Sequence, residues 1–154
     1  MSTESLQTAL EREHRAIDRG VEACMAAAEG DDSATAPLVE AMDALRRHIY
    51  LEERFLFPPL REAGMIMPVS VMLREHGELW HTMDSLTALI EEKVDSKRLR
   101  DGCSEFLSQL DQHNSKEEPI IYPQTKILSE HAATQFARFI EIANFPDGWT
   151  CERA

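Results

Sequence analysis

The chain has 154 residues, 43% of them hydrophobic, and a formal net charge of −12 at pH 7. This length and composition predict one globular domain over residues 1–154 with an apolar core. So acidic a surface disfavours binding to nucleic-acid phosphates or to anionic membranes, because both need faces rich in lysine and arginine. We also expect no membrane span, since no stretch approaches the roughly 20 apolar residues required, and no secretion signal.

The first half of the chain predicts two helices. Apolar residues recur at spacings of three and four over residues 5–29, and the segment GDDS at residues 30–33 signals a turn. A second helix starts near Pro37, a favourable first-turn residue, and its apolar stripe continues through Glu52 to Phe55. The adjacent prolines at positions 58 and 59 then kink or end this helix.

The second half predicts a similar pair. A third helix spans about residues 68–94, and a fourth follows with an apolar stripe that runs through Glu117 to Ile120. Pro119 should disturb the fourth helix and Pro123 should stop it.

Four long helices with short connections predict an all-α fold, an antiparallel up-down-up-down four-helix bundle over about residues 5–122. A short fifth C-terminal helix over about residues 129–143 would cover an edge or end of the bundle. Residues 144–154 are predicted to form an irregular tail.

One motif occurs twice in the chain. HIYLEERFLFP at residues 48–58 and HNSKEEPIIYP at residues 113–123 both match H-x-x-x-E-E-x-x-x-[F/Y]-P, and an Arg-Glu-His triplet precedes each copy, at residues 12–14 and 74–76. The repeat predicts two related halves. Four histidines and two glutamates recur in it on the apolar stripes: His14, His48, Glu52, His76, His113 and Glu117.

Helix geometry predicts that these six side chains meet. Each glutamate follows its histidine by four residues and shares its helix face, and a rise of about 1.5 Å per residue returns both hairpins to about the same height. Two buried carboxylates would repel each other, and no lysine or arginine lies on these stripes to neutralise them. Metal ions bridged by the carboxylates and capped by neutral imidazoles would solve this problem; iron fits such a donor set best, and manganese or zinc less well.

This ordered set resembles the hemerythrin-like (HHE) domain family, which has the pattern H, H-x-x-x-E, H, H-x-x-x-E on four bundled helices. The match covers residues 14–123. The resemblance implies two non-haem iron ions joined by an oxo or hydroxo group, with Glu52 and Glu117 as bridging ligands. It divides the histidines between the irons as His14 with His48 and His76 with His113.

The chain departs from oxygen-carrying hemerythrins at one position. They have a fifth histidine four residues after the third-helix ligand, where this chain has Trp80. His81 lies five residues after His76, about 140° away on a regular helix, and would need a π-bulge to reach the site. The resulting open site favours a diiron protein that binds or senses dioxygen, nitric oxide or peroxide. A diiron redox enzyme, including one for iron–sulfur repair, and an iron-storage or buffer protein are the alternatives.

Glutamates beside the candidate ligands have a second possible role. Glu13 and Glu75 could orient an imidazole through a hydrogen bond, but a solvated face is the simpler interpretation. Glu53 and Glu118 are interpreted as surface groups or as supports for the ligands.

The two tyrosines and three cysteines of the chain are further candidates for a functional role. Tyr50 and Tyr122 could donate a hydrogen bond to a bound oxygen species, although Tyr50 lies off the main stripe. Three widely spaced cysteines predict reduced thiols in a cytoplasmic protein. Cys24 and Cys103 lie on the apolar stripes, whereas Cys151, in a tail predicted to be mobile, is the one thiol that could react.

Overall fold

The structure is a computed structural model that describes residues 5–27, 35–142 and 146–154, and it contains no strand within them. The α-helices are α1 (Leu6–Ala26), α2 (Thr35–Leu51), α3 (Phe57–Glu62), α4 (Ile66–Glu91), α5 (Ser96–Lys116) and α6 (Glu130–Ile142). π-helical turns follow α2 at Glu52–Leu56 and α5 at Glu117–Ile121, and a 3-10 helix spans Tyr122–Ile127. The predicted turn at residues 30–33 and the predicted junction at residues 143–144 lie outside the described residues.

The four long helices form the predicted bundle. α1 packs against α2 and α5, and α4 packs against the same two helices. α6 contacts α1 and α2 and so corresponds to the predicted short fifth helix. Over the described ranges, no helix is both long and apolar enough to cross a bilayer.

The prolines act differently from the prediction. α2 ends at Leu51, before the proline pair, and Pro58 and Pro59 occupy the first turn of α3. The first helical turn accepts proline because its N–H groups have no partner within the helix. Pro119 does lie in a disturbed segment, the second π turn, but Pro123 is the second residue of a 3-10 helix and does not stop the chain's helical path.

The π turns shift the buried face by one residue. Leu56 and Ile121 are fully buried, whereas Ile120, which the sequence placed on the apolar stripe, is 48% exposed. Phe55 is only partly buried. Because a π turn contains one more residue than an α turn, a stripe extrapolated with α-helical spacing fails from this point onward.

A polar layer divides the apolar core into two clusters. On α1, His14 lies between Leu10 of one cluster and Ile17 of the other. On α4, His76 lies in the same way between Leu73 and Leu79. The candidate ligands therefore sit within the bundle, between two apolar regions.

Residues 146–154 are irregular but packed against the bundle. The rings of Trp149 and Trp80 are 5.6 Å apart, and a Cβ at Gly77 would lie 2.5 Å from the carbonyl oxygen of Arg153. Cys151 is 3% exposed, and its burial raises the pKa of the thiol to about 11. The expectation that Cys151 is a reactive thiol in a mobile tail is therefore wrong, because the segment buries it. Cys24 and Cys103 are buried as predicted.

Candidate metal centre

The six predicted ligands meet in one buried layer of the bundle. They form two overlapping groups that share Glu52 and Glu117: one contains His14 and His48, and the other His76 and His113. Within each group, one donor atom from every residue lies within 4.8 Å of the others. The structure thus brings together all six residues that the repeat singled out.

Each carboxylate presents one oxygen to each group. Glu52 has Oε2 at 3.3 Å from His48 Nε2 and Oε1 at 3.2 Å from His76 Nε2. Glu117 has Oε1 at 3.1 Å from His14 Nε2 and Oε2 at 3.3 Å from His113 Nε2. This is the arrangement that two carboxylates need in order to bridge a pair of ions.

A second set of carboxylates holds the imidazoles from behind. In every candidate histidine, Nδ1 makes a hydrogen bond of 2.7–2.9 Å to a glutamate, and Nε2 faces the centre of the layer. The four pairs are Glu13 with His48, Glu53 with His76, Glu75 with His113 and Glu118 with His14. Such bonds fix the tautomer and orientation of metal-binding imidazoles.

These pairs close a ring around the bundle. α1 supplies a glutamate to the histidine of α2, the turn after α2 to α4, α4 to α5, and the turn after α5 to α1. Glu75 is buried, so the prediction of a solvated face is wrong for it. The signal was present in the sequence: each orienting glutamate is adjacent in the chain to a candidate ligand, in the two Arg-Glu-His triplets and the two Glu-Glu pairs.

The buried charges depend on one another. Burial lowers the pKa of His48, but the charge of Glu52 and the hydrogen bond to Glu13 outweigh it and hold that pKa well above its usual value. Burial raises the pKa of Glu117, yet His113 and His14 bring it well below its usual value. These directions favour protonated imidazoles paired with ionised carboxylates when no metal is present, and a bound cation would replace the imidazole protons.

The donor set fits a metal pair. Among the six candidate ligands, three buried atoms, Glu52 Oε1, His76 Nε2 and Glu117 Oε2, make no hydrogen bond, although the first two lie 3.2 Å apart. All three face the group of His76 and His113. A buried polar atom without a partner is costly, and a cation coordinated by nitrogen and carboxylate oxygen would satisfy all three.

The π turns also bring an aromatic residue to each group. Residues five apart share a face in a π-helix, so Tyr122 lies over Glu117 and Phe57 over Glu52. The Tyr122 hydroxyl oxygen lies 2.7 and 2.8 Å from carboxylate oxygens of Glu52 and Glu117, and its one proton can be donated to either of them. Burial and the charges of both glutamates raise the pKa of Tyr122 well above its usual value.

His81 does not join the centre. α4 is a regular α-helix over Ile66–Glu91, and His81 is exposed on it. The π-helical geometry occurs instead directly after α2 and α5. Tyr50 lies away from the layer and contacts Phe55 and Trp149.

The fold and this layer define a cation-binding helical domain. The profile of the hemerythrin HHE cation-binding domain matches residues 5–125, and the chain belongs to this family.

Curated relatives cover the chain only in part. A protein named "Iron-sulfur cluster repair protein YtfE" from Enterobacter sp. (strain 638) is 32% identical over 93 residues, which are 53% of this chain and 42% of that relative. The protein of the same name from Escherichia coli O81 (strain ED1a) is 31% identical over the same shares, and that from Musicola paradisiaca (strain Ech703) is 32% identical over 58% and 45%. The matches thus span less than half of each relative. No solved structure matches the chain.

Proposed function

We propose that this chain is a non-haem diiron protein that binds or senses dioxygen, nitric oxide or peroxide. The observation that carries the proposal is the pair of carboxylates, Glu52 and Glu117, each with one oxygen directed to each of two imidazole pairs. His14 and His48 would hold one iron, and His76 and His113 the other. Once bound, the two irons would supply a redox couple and an open position for a small ligand.

The protein's own residues would do three things at this site. The ring of glutamates would keep Nε2 of each imidazole directed at the metal. The two carboxylates would set the separation of the ions by bridging them. The apolar clusters on either side of the layer would limit the access of water.

Iron reconstitution tests this proposal. Metal-free protein is loaded with iron(II) without oxygen, the iron per chain is counted, and the near-ultraviolet spectrum is followed in air and with azide or nitric oxide. We expect two irons per chain and an oxo-bridged diferric band that these ligands alter. The His48→Ala variant should lose the band, whereas His131→Ala, at an exposed histidine on α6, should keep it. Less than one iron per chain, with no band, would contradict the proposal.

A catalytic role in iron–sulfur repair is the second candidate, and the name of the relatives favours it. It uses the same site but requires turnover. Loaded protein should then restore activity to an enzyme with a damaged iron–sulfur cluster faster than free iron does, or consume peroxide or nitric oxide catalytically. Rates equal to those of free iron would rule out the catalytic role. A protein that binds or senses small ligands, or one that buffers iron, would then remain. The cytoplasmic location stays a prediction.

A further inference from the structure

We propose that Tyr122 is an additional ligand to one metal ion, the ion held by His14 and His48, and that Phe57 leaves the other ion open. This inference rests on the proposed function. It makes the two ions chemically different although the repeat makes their histidine and glutamate ligands equivalent.

The first evidence is the position of the Tyr122 hydroxyl. Its oxygen lies 2.9 Å from both His14 Nε2 and His48 Nε2, in addition to its two short contacts with Glu52 and Glu117. A phenol has one proton to donate and two lone pairs to accept with, so it cannot satisfy four partners by hydrogen bonds alone. These four partners are all the predicted protein ligands of one ion.

The distances match those between neighbouring ligands. In an octahedral complex with bonds of about 2.1 Å, adjacent donor atoms lie about 3.0 Å apart, and every vertex has four such neighbours. The Tyr122 oxygen has four donor atoms at 2.7–2.9 Å. It therefore has the surroundings of a further vertex, and the tyrosine does not need to move far to become a ligand.

The second evidence is the contrast with Phe57, which occupies the same place in the other copy of the motif. The Tyr122 ring stacks on His14 with centroids 5.3 Å apart, and the Phe57 ring stacks on His76 at 5.4 Å. The two halves therefore differ here by one oxygen atom. Among the six candidate ligands, the three buried atoms without a hydrogen-bond partner all face the Phe57 half, where that oxygen is missing.

The Phe57 half also lies beside a surface cavity. This cavity, of about 230 Å³, is lined in part by Phe57 and Glu53. Phe57 stacks on the His76 ring, and Glu53 makes the hydrogen bond to its Nδ1. Phe57 and Glu53 separate this cavity from His76, so a small ligand that enters here would reach the open ion once one of these two side chains moves.

Coordination of Tyr122 to iron requires no oxidant or reductant. An iron–oxygen bond forms, the O–H bond of the phenol breaks, and the proton passes to solvent, as it does when other protein ligands bind metals. The oxidation state of the iron does not change. A tyrosinate bound to iron(III) absorbs visible light through ligand-to-metal charge transfer, which an imidazole or carboxylate ligand does not produce there.

The test uses iron(III)-loaded full chain, visible absorption and resonance Raman spectra of the tyrosine ring modes. The chain contains only two tyrosines, so Tyr50→Phe is the matched control. We expect a visible band with enhanced tyrosine modes in the wild type and in Tyr50→Phe, and its complete loss in Tyr122→Phe at unchanged iron content. The band in Tyr50→Phe alone identifies Tyr122 as the source, even if Tyr122→Phe does not fold.

The reciprocal variant tests the asymmetry. Phe57→Tyr should intensify the visible band and weaken azide binding, because it supplies a ligand to the open ion. Two irons per chain in the wild type without any tyrosinate signal would overturn the inference while leaving the diiron proposal intact. A wild-type chain that binds no iron would overturn both.

Discussion

Glu75 is the orienting carboxylate that also pairs with a lysine. It accepts a hydrogen bond of 2.9 Å from Nδ1 of His113 and pairs with Lys116. Glu75→Gln keeps an acceptor oxygen but removes the charge that makes the imidazole a better ligand. We expect iron affinity to fall about 10- to 100-fold, the effect typical of such partners, measured by competition with a chelator.

Glu78→Gln is the matched control for this variant. Glu78 lies on the same helix but is exposed and pairs only at 3.7 Å with Arg74. Its substitution should leave the affinity unchanged. Equal losses in the two variants would show that the charge of α4, and not the contact with His113, matters for binding.

The imidazole–carboxylate ring also sets how stability depends on pH in the metal-free protein. Burial lowers the pKa of His113, but Glu117 and Glu75 outweigh it and raise it from 6.5 to about 10. A histidine whose pKa is raised on folding contributes its full stabilisation at pH values below its pKa in the unfolded chain. This contribution is lost as the pH rises through its pKa in the folded protein. For Glu117 the folded-state pKa is well below 4.5, so its contribution to stability is complete above about pH 4.5 and is lost as the pH falls through the lower, folded-state value.

We therefore expect the melting temperature of metal-free protein to be highest between about pH 4.5 and 6.5 and to fall as pH approaches about 10. Circular dichroism melts across this range would measure it. High salt screens the repulsion among the many exposed acids but not the buried ring, so the alkaline loss should persist in salt. A melting temperature that rises steadily from pH 6 to pH 10 would contradict this account.

At the scale of single elements, the ends of the long helices that lie away from the candidate ligands should contribute to stability without affecting metal binding. Asp95 caps α5 by accepting a hydrogen bond of 2.8 Å from the N–H of Arg98. Asp95→Ala should lower the free energy of unfolding by about 1 kcal/mol, the usual value of such a cap. Iron content should not change, because the cap lies at the opposite end of α5 from His113.

Denaturant unfolding would measure that loss, and Asp101→Ala gives the comparison. Asp101 is exposed on the same helix and pairs only with Lys97 at 3.0 Å, a contact worth a few tenths of a kcal/mol. A smaller effect at Asp95 than at Asp101 would show that the cap contributes little here.

The sequence was sufficient for the bundle and for the meeting of the six candidate ligands because both follow from helical periodicity and a repeat. It was not sufficient for the π turns. The extrapolated stripe placed Phe55 and Ile120 inward, whereas Phe57 and Tyr122 are the residues that reach the layer. The energy of an inserted residue depends on tertiary contacts, in this case on aromatic rings that stack on histidines, and no local pattern reports those contacts.

The orienting glutamates illustrate the same limit at longer range. Glu13 and Glu118 are separated from their histidines by 35 and 104 residues. Only the packing of neighbouring helices decides which carboxylate meets which imidazole. Their position beside the candidate ligands indicated a supporting role but could not assign the pairs.

At the scale of the whole molecule, the segment of residues 146–154 is tied to both the bundle and the metal layer. The N–H of Glu152 donates at 3.0 Å to Glu53, the carboxylate that orients His76. Gly77→Ala would push a methyl group into the backbone of Arg153 and displace this segment. We expect Cys151 to react with a thiol reagent at least about tenfold faster in this variant, because the free energy of the local opening that exposes the thiol is lower.

Mass spectrometry of the modified peptides would identify the reacting cysteine. Ser85→Ala, at an exposed position of the same helix, should react as slowly as the wild type. Unchanged protection of Cys151 in Gly77→Ala would mean that the close approach is relieved without moving the segment.

The division of the apolar core into two clusters affects how the protein unfolds. A layer of charged groups separates the two clusters, and ion pairs would hold this layer together without metal, whereas coordination bonds would do so with metal bound. Loss of the cations would then let one end of the bundle loosen before the other, and filling the layer would fuse both transitions into one. A calorimeter would record this difference as a change in the number of heat-absorption peaks.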